Sequence, residues 1–109
     1  MPSIDDDQFD RQKRVSGWKQ DAIEKARVVV VGAGALGNEV VKNLAQLGVG
    51  HLTVVDFDEI VLANLNRCVF FTERDVGAFK ADVIAREVKK INSLLEMHVE
   101  KKRLEELPE

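Results

Sequence analysis

The spacing of apolar residues changes several times along this chain, and each change marks an element. Arg27-Val28-Val29-Val30-Val31 is a β-branched run without polar interruption. Such a run predicts a strand buried on both faces, as in a parallel sheet. After the glycine-rich stretch that follows, Val40, Val41, Leu44 and Ala45 repeat with helical spacing, and the helix is expected to run to about residue 47. Gly48 and Gly50 end it. His51-Leu52-Thr53-Val54-Val55 reads as a second strand, closed by Asp56. Residues 57–72 form a mixed loop or short-helix region, and Thr72 to Asp75 can cap a further turn. The segment 80–92 is an amphipathic helix with Ala81, Ile84, Ala85, Val88 and Ile91 as its buried stripe. Met97 and Val99 alternate with polar residues, which predicts a third strand over 96–101.

Upstream, Ser3 and three aspartates read as a helix start, because carboxylates favour the positive end of a helix. Ile4 and Phe9 would anchor that short helix, and the basic residues 11–14 end it. Gly17 breaks the chain, and a second helix over 18–26 places Trp18, Ala22, Ile23 and Ala26 on one face. The order α-α-β-α-β-α-β implies right-handed crossovers and a parallel sheet. The expected fold is therefore α/β and Rossmann-like, cut to about three strands. Residues 1–26 form an N-terminal helical segment and 27–109 a partial nucleotide-binding domain. A doubly wound fold usually has five or six strands, so 109 residues read as part of a longer protein.

Composition narrows the function. A net charge of −3, with Lys and Arg scattered, argues for neither a nucleic-acid nor a membrane surface. Cys68 is the one cysteine, which excludes an intrachain disulfide and an internal four-cysteine zinc site. His51 and His98 have no matching ligand partners, so no metal site is assigned. The acidic N-terminus is unlike a signal peptide and the apolar runs are too short to span a bilayer, so a reducing cytoplasm is expected.

Gly32, Gly34 and Gly37 satisfy G-x-G-x-x-G directly after a strand and before a helix. The first glycine permits a tight turn, the second lets a ligand approach the backbone, and the third lets helix pack on strand. Free N–H groups at that helix start suit a phosphate. Asp56, nineteen residues after Gly37, can accept hydrogen bonds from ribose hydroxyls. The motif leaves NAD, FAD, S-adenosylmethionine and ATP open. Beyond Asp56 come Asp58, Asn64 and Arg67, and thirteen residues after Arg67 comes Lys80. Cations beyond the second strand suit a polyphosphate, whose developing charge needs Lys, Arg or metal nearby. An NAD(P) oxidoreductase, the rival reading, gives Arg67 and Lys80 no role.

VVVVGAGALG, VVDFDEI, NLNR and DVGAFKAD, in this order and spacing, resemble the ThiF/MoeB and ubiquitin-activating superfamily. Phe9-Asp10-Arg11-Gln12 resembles its aromatic-x-Arg-Gln segment, although Gln8 stands where an arginine often precedes. The resemblance implies binding of ATP and Mg²⁺ and adenylation of the C-terminal glycine carboxylate of a ubiquitin-like or sulfur-carrier protein. It implies that Gly32, Gly34 and Gly37 face the phosphates and that Asp56 binds the ribose. It puts Asp58, Asn64, Arg67 and Lys80 around the triphosphate, and it has Arg11 reach a partner's ATP across a homodimer interface. Cys68 replaces the family's usual glutamine and reads as a small buried hydrophobe, not the thioester-forming cysteine. The family's main Mg²⁺-binding aspartate and carrier-tail channel would fall beyond residue 109, so the chain alone is expected to be poorly active or inactive. A non-catalytic subunit of a heterodimeric activating enzyme is the third reading.

Overall fold

The structure is a computed structural model that describes residues 8–103, the side chains of Asp10 and Arg11 excepted. The expected helix start at Ser3, with Ile4 and the three aspartates, lies outside the described residues, as does 104–109. Strands β1 (Arg27–Val31), β2 (His51–Val55) and β3 (Glu96–Glu100) form one sheet in the order β1-β2-β3, both pairs parallel. Val30 lies beside Val54, and Val54 beside Val99. Helix α3 (Ala35–Leu47) connects β1 to β2, and α4 (Lys80–Val88) leads into β3. Two short helices, α1 (Asp10–Lys13) and α2 (Gln20–Lys25), precede the sheet. The α/β, Rossmann-like expectation holds.

The core forms where one face of the sheet meets α3 and α4. Val30, Leu52 and Val54 pack there with Val41, Ala45, Ala81, Ile84 and Val88, and Val28, Met97 and Val99 flank them. Burying each of the valine, leucine and isoleucine side chains supplies about 1.5–3 kcal/mol before entropy is counted. The other face departs from expectation. Val29 and Val31 are 59% and 56% exposed, so β1 is not buried on both faces. A parallel sheet needs helices on each side, and among the described residues this face has no such cover over β1.

Smaller departures occur at helix ends. The helix expected over 80–92 stops at Val88 and continues as turns to Asn92, with Ile91 still packed on the core. The second helix is shorter than 18–26, and Ala22 on its expected inner face is exposed.

Residues 57–79 leave the sheet and return as a braced loop. Glu59 and Phe79 form an antiparallel bridge. Ile60 N–H donates to the Ala78 carbonyl at 2.8 Å, and Gly77 N–H to the Ile60 carbonyl at 2.9 Å. Between these ends lie two 3-10 turns, Leu62–Asn64 and Glu73–Asp75. Ile60, Cys68, Phe70 and Phe71 turn inward and join the core.

At the opposite end of the sheet, the N-terminal segment caps α3. Gly48 adopts φ 96°, ending the helix, and leaves the Leu47 carbonyl to outside donors. Gln12 Nε2 and Gln20 Nε2 donate to that carbonyl at 2.7 and 3.0 Å. Gln20 Oε1 accepts from Gln12 Nε2 at 2.6 Å and Trp18 Nε1 at 2.8 Å.

Candidate nucleotide-binding site

Two of the three glycines after β1 have a reason within the structure to be glycine, and the third has none. Gly32 has φ 96°, in the left-handed region that a side chain disfavours. A Cβ on Gly37 would collide with the Gly32 carbonyl oxygen, so only glycine lets α3 come this close to the turn. Gly34 has neither excuse. Its backbone is extended, with φ −78° and ψ −162°, and a Cβ there would meet no atom of the described residues within 4 Å. The space beside it opens to solvent.

That space borders the start of α3. The first bond across the helix start runs from Asn38 N–H to the Gly34 carbonyl at 2.9 Å, which leaves the first-turn N–H groups without intrahelical partners. No acidic residue occupies the first turn to satisfy them. An anion fits that position.

Asp56 ties the glycine turn to β2. Its Oδ2 accepts the Ala33 N–H at 2.7 Å and its Oδ1 the Asp58 N–H at 2.7 Å. Each oxygen retains a lone pair for a further donor, so the carboxylate can hold the turn and still receive a hydroxyl. Asn38 does comparable work from behind. It is fully buried, its Nδ2 donates to the carbonyls of Ala33 and Gly34 at 2.9 and 2.8 Å, and its Oδ1 accepts the Phe70 N–H at 3.2 Å. The asparagine thereby joins the turn to the 57–79 loop. The sequence reading missed it, although an amide in line with Val41 and Ala45 on a buried stripe was a usable signal.

Two adjoining clefts open at the carboxyl ends of the strands. One, of about 370 Å³, is lined by Val31, Gly32, Val55, Asp56, Phe57, Lys102 and Arg103. The second, of about 490 Å³, is lined by Phe57, Asp58, Glu59, Val61, Asn64 and Lys80, so Phe57 is the wall between them. Asp58, Asn64 and Lys80 are thus brought together as the sequence suggested. Lys80 N–H donates to the Asp58 carbonyl at 3.0 Å, and Asn64 Oδ1 accepts the Val61 N–H at 2.9 Å. Arg67 is placed apart from them. It is exposed and lines a separate groove with Asn66, Cys68 and Phe71. Arg11 belongs to α1, and its side chain lies outside the described residues.

Lys102 and Arg103 were not singled out from sequence. Three consecutive cations follow β3, and ligands of open α/β sheets gather outside the carboxyl ends of strands. Lys101 is engaged: its Nζ lies 3.1 Å from Asp82 Oδ2 and 4.9 Å from the Phe79 ring centre. Arg103 lies over Phe57, its guanidinium carbon 5.4 Å from the ring centre. Among the described residues, Arg67, Lys80, Lys102 and Arg103 pair with no carboxylate, a state they share with Lys19, Lys25, Arg27, Arg74 and Lys89, whereas Lys42, Arg86, Lys90 and Lys101 are paired.

The turn that delivers α4 is fixed by Asp75, which is 4% exposed. Its carboxylate accepts the Thr72 N–H and hydroxyl at 2.9 and 3.1 Å and the Arg86 Nη2 at 2.9 Å. Burial opposes its ionisation, but the bonds from Thr72 and Arg86 outweigh burial and hold the carboxyl below its ordinary value. Cys68 is 3% exposed, a packed side chain as expected.

The ThiF family model matches residues 7–108. The chain belongs to the ThiF family. Members of known role resemble it across much of its length. The sulfur carrier protein adenylyltransferase of Thermus thermophilus is 38% identical over 101 residues, covering 90% of this chain and 37% of that protein. The Nedd8-activating enzyme E1 catalytic subunit of Drosophila melanogaster is 50% identical over 62 residues, 57% of this chain and 14% of the relative. Among solved structures, the E. coli tRNA N6-threonylcarbamoyladenosine dehydratase TcdA in complex with ATP superposes with a TM-score of 0.82 at 30% identity, over 88% of this chain and 40% of that one. This ThiF chain thus spans well under half the length of each of these relatives.

Proposed function

We propose that this chain supplies the ATP-binding part of an adenylyltransferase that activates the C-terminal glycine carboxylate of a ubiquitin-like or sulfur-carrier protein. The observation that carries the reading is Gly34: nothing among the described residues requires glycine there, and the room it leaves adjoins N–H groups that have no partner among those residues. A ligand that presses on the backbone with negative charge supplies the missing reason. Relatives named as a sulfur carrier adenylyltransferase and a Nedd8-activating subunit, and a related structure in complex with ATP, point the same way.

In this reading Gly32, Gly34 and Gly37 shape the phosphate-facing turn, and Asp56 accepts ribose hydroxyls. Asp58, Asn64 and Lys80 border the triphosphate; Arg67, which lines a separate groove, is kept as a further phosphate contact for the Arg67→Ala titration to test. Arg11 reaches the ATP of a second copy in a homodimer. A carboxylate oxygen of the carrier tail attacks the α-phosphorus, the bond from that phosphorus to the bridging oxygen breaks, and pyrophosphate leaves with the electron pair. The protein's part is positioning and charge neutralisation. Among the described residues no group of three or more His, Cys, Asp or Glu gathers to hold a metal. Mg²⁺ belongs to this reading as a partner of the nucleotide, where it would neutralise phosphate charge while taking few protein ligands. No helix of the described residues is long and apolar enough to cross a membrane, and the reading places the protein in the cytoplasm.

The test is ATP–pyrophosphate exchange by the full-length protein with candidate carriers. Exchange dependent on a carrier's terminal glycine is expected, and it should fall at least about tenfold in Lys80→Ala, the loss of one charge-assisted contact. ATP affinity unchanged in both Lys80→Ala and Arg67→Ala would overturn the assigned pocket.

A further inference from the structure

The cleft that contains Asp56 is unlike its neighbour in lining. Val31, Val55 and Gly32 line it together with Phe57, Lys102 and Arg103. Its neighbour is bordered by Asp58, Glu59, Asn64 and Lys80. If ATP lies across both, the apolar side suits the base and the polar side the phosphates. Why, then, do two cations border the apolar cleft?

The geometry of Arg103 answers this. Its guanidinium lies 5.4 Å from the centre of the Phe57 ring, within the range of a cation–π pair. A base inserted between them would need two contact layers of about 3.5 Å each, about 7 Å in all. The gap is too narrow for a sandwich, so a base must use the free face of the guanidinium. Phe57, 47% exposed, then serves as the backing that holds the guanidinium plane over the cleft.

We infer that Arg103 is a base-contacting residue of the ATP site, stacking its guanidinium on the adenine with Phe57 as the positioning residue behind it. This rests on the reading of the site as one for ATP. Guanidinium planes stack on bases and aromatic rings alike, and a Lys ammonium offers no such plane. The role differs in kind from that of Lys80: Arg103 recognises the base, not the phosphate charge.

Titration calorimetry of the full-length protein with ATP and with inorganic tripolyphosphate separates these roles. Arg103→Ala should weaken ATP about tenfold, the scale of one stacked base, and leave tripolyphosphate within about twofold. Arg103→Lys keeps the charge and should recover less than half of the loss. Phe57→Leu should weaken ATP about threefold, with tripolyphosphate again little changed. Equal losses for both ligands in Arg103→Ala would overturn the inference, as would unchanged ATP affinity or full recovery in Arg103→Lys. Lys80→Ala is the control for the site itself. If it weakens tripolyphosphate and ATP alike while Arg103→Ala does nothing, the ATP site stands and the stacking role falls. If wild-type protein binds neither ligand, the ATP reading fails and takes this inference with it.

Discussion

The two ends of the sheet satisfy their polar groups in opposite ways. At the amino ends of the strands the protein answers its own demands. The Leu47 carbonyl receives two amide donors, Gln20 is bonded through both ends of its amide, and Asn92 Nδ2 reaches the Ala45 carbonyl at 3.4 Å. At the carboxyl ends it leaves demands open: first-turn N–H groups of α3 without acceptors among the described residues, and a glycine with empty space beside it. Polar groups without partners weaken a fold unless water or a ligand completes them. The contrast favours the proposed site lying where stability is not being sought.

Glycine substitutions give the largest expected break in that contrast. Gly37→Ala drives a methyl into the Gly32 carbonyl and should cost about 1–3 kcal/mol in chemical denaturation, or more if the turn cannot shift. Gly34→Ala should cost within about 1 kcal/mol, because its backbone suits alanine and only a weak cap is lost. ATP titration should reverse the ranking per unit of stability lost, with Gly34→Ala weakening affinity at least about tenfold, as a methyl displaces the phosphate. If Gly34→Ala binds ATP normally, the open end has been misread.

Asn38 and Gln20 sharpen the comparison, since each is a buried amide serving a different end. Asn38→Ala removes two bonds at the glycine turn and one to the 57–79 loop, and should cost about 1–3 kcal/mol together with a measurable loss of ATP affinity. Gln20→Ala should cost about 1–2 kcal/mol by leaving the Trp18 Nε1 donor with no partner, yet leave ATP affinity unchanged. Coupled losses in the first and stability loss alone in the second are the outcome to seek by paired unfolding and titration.

The smallest effect concerns acid. The Asp75 carboxyl titrates lower in the folded chain than in the unfolded one, so its stabilising contribution is present above the unfolded value of about 3.9 and is lost as pH falls through the folded value. Asp75→Asn, less stable at neutral pH, should therefore show a shallower loss of stability than wild type between about pH 5 and pH 3. Equal slopes in the two proteins would remove that carboxyl from the acid limb.

Sheet and helices were legible because their residues repeat in register with their geometry. The β-branched run at 27–31 and the stripe at 81, 84 and 88 leave few alternatives. The exposure of Val29 and Val31 was not legible, since an apolar run records only that a strand suits burial, not that a cover is at hand. In the site, Gly32, Gly37 and Asp56 could be read from spacing alone. The burial of Asn38 could be read from its place in line with Val41 and Ala45, but its partner at residue 70, thirty-two positions away, could not. Arg67 shows the limit from the other side. Its order in the chain put it beside Lys80, while the folded loop gives it a groove of its own.

Asp56 carries a warning for anyone who reads a mutant of it. Because one carboxylate accepts both the Ala33 and the Asp58 amides, exchanging it for asparagine would set an NH₂ group against a backbone donor and release one of the two segments. A nucleotide affinity lost in that variant would then be the sum of a missing handle and a loosened latch, and only a second-site repair of the latch could say how much belongs to each.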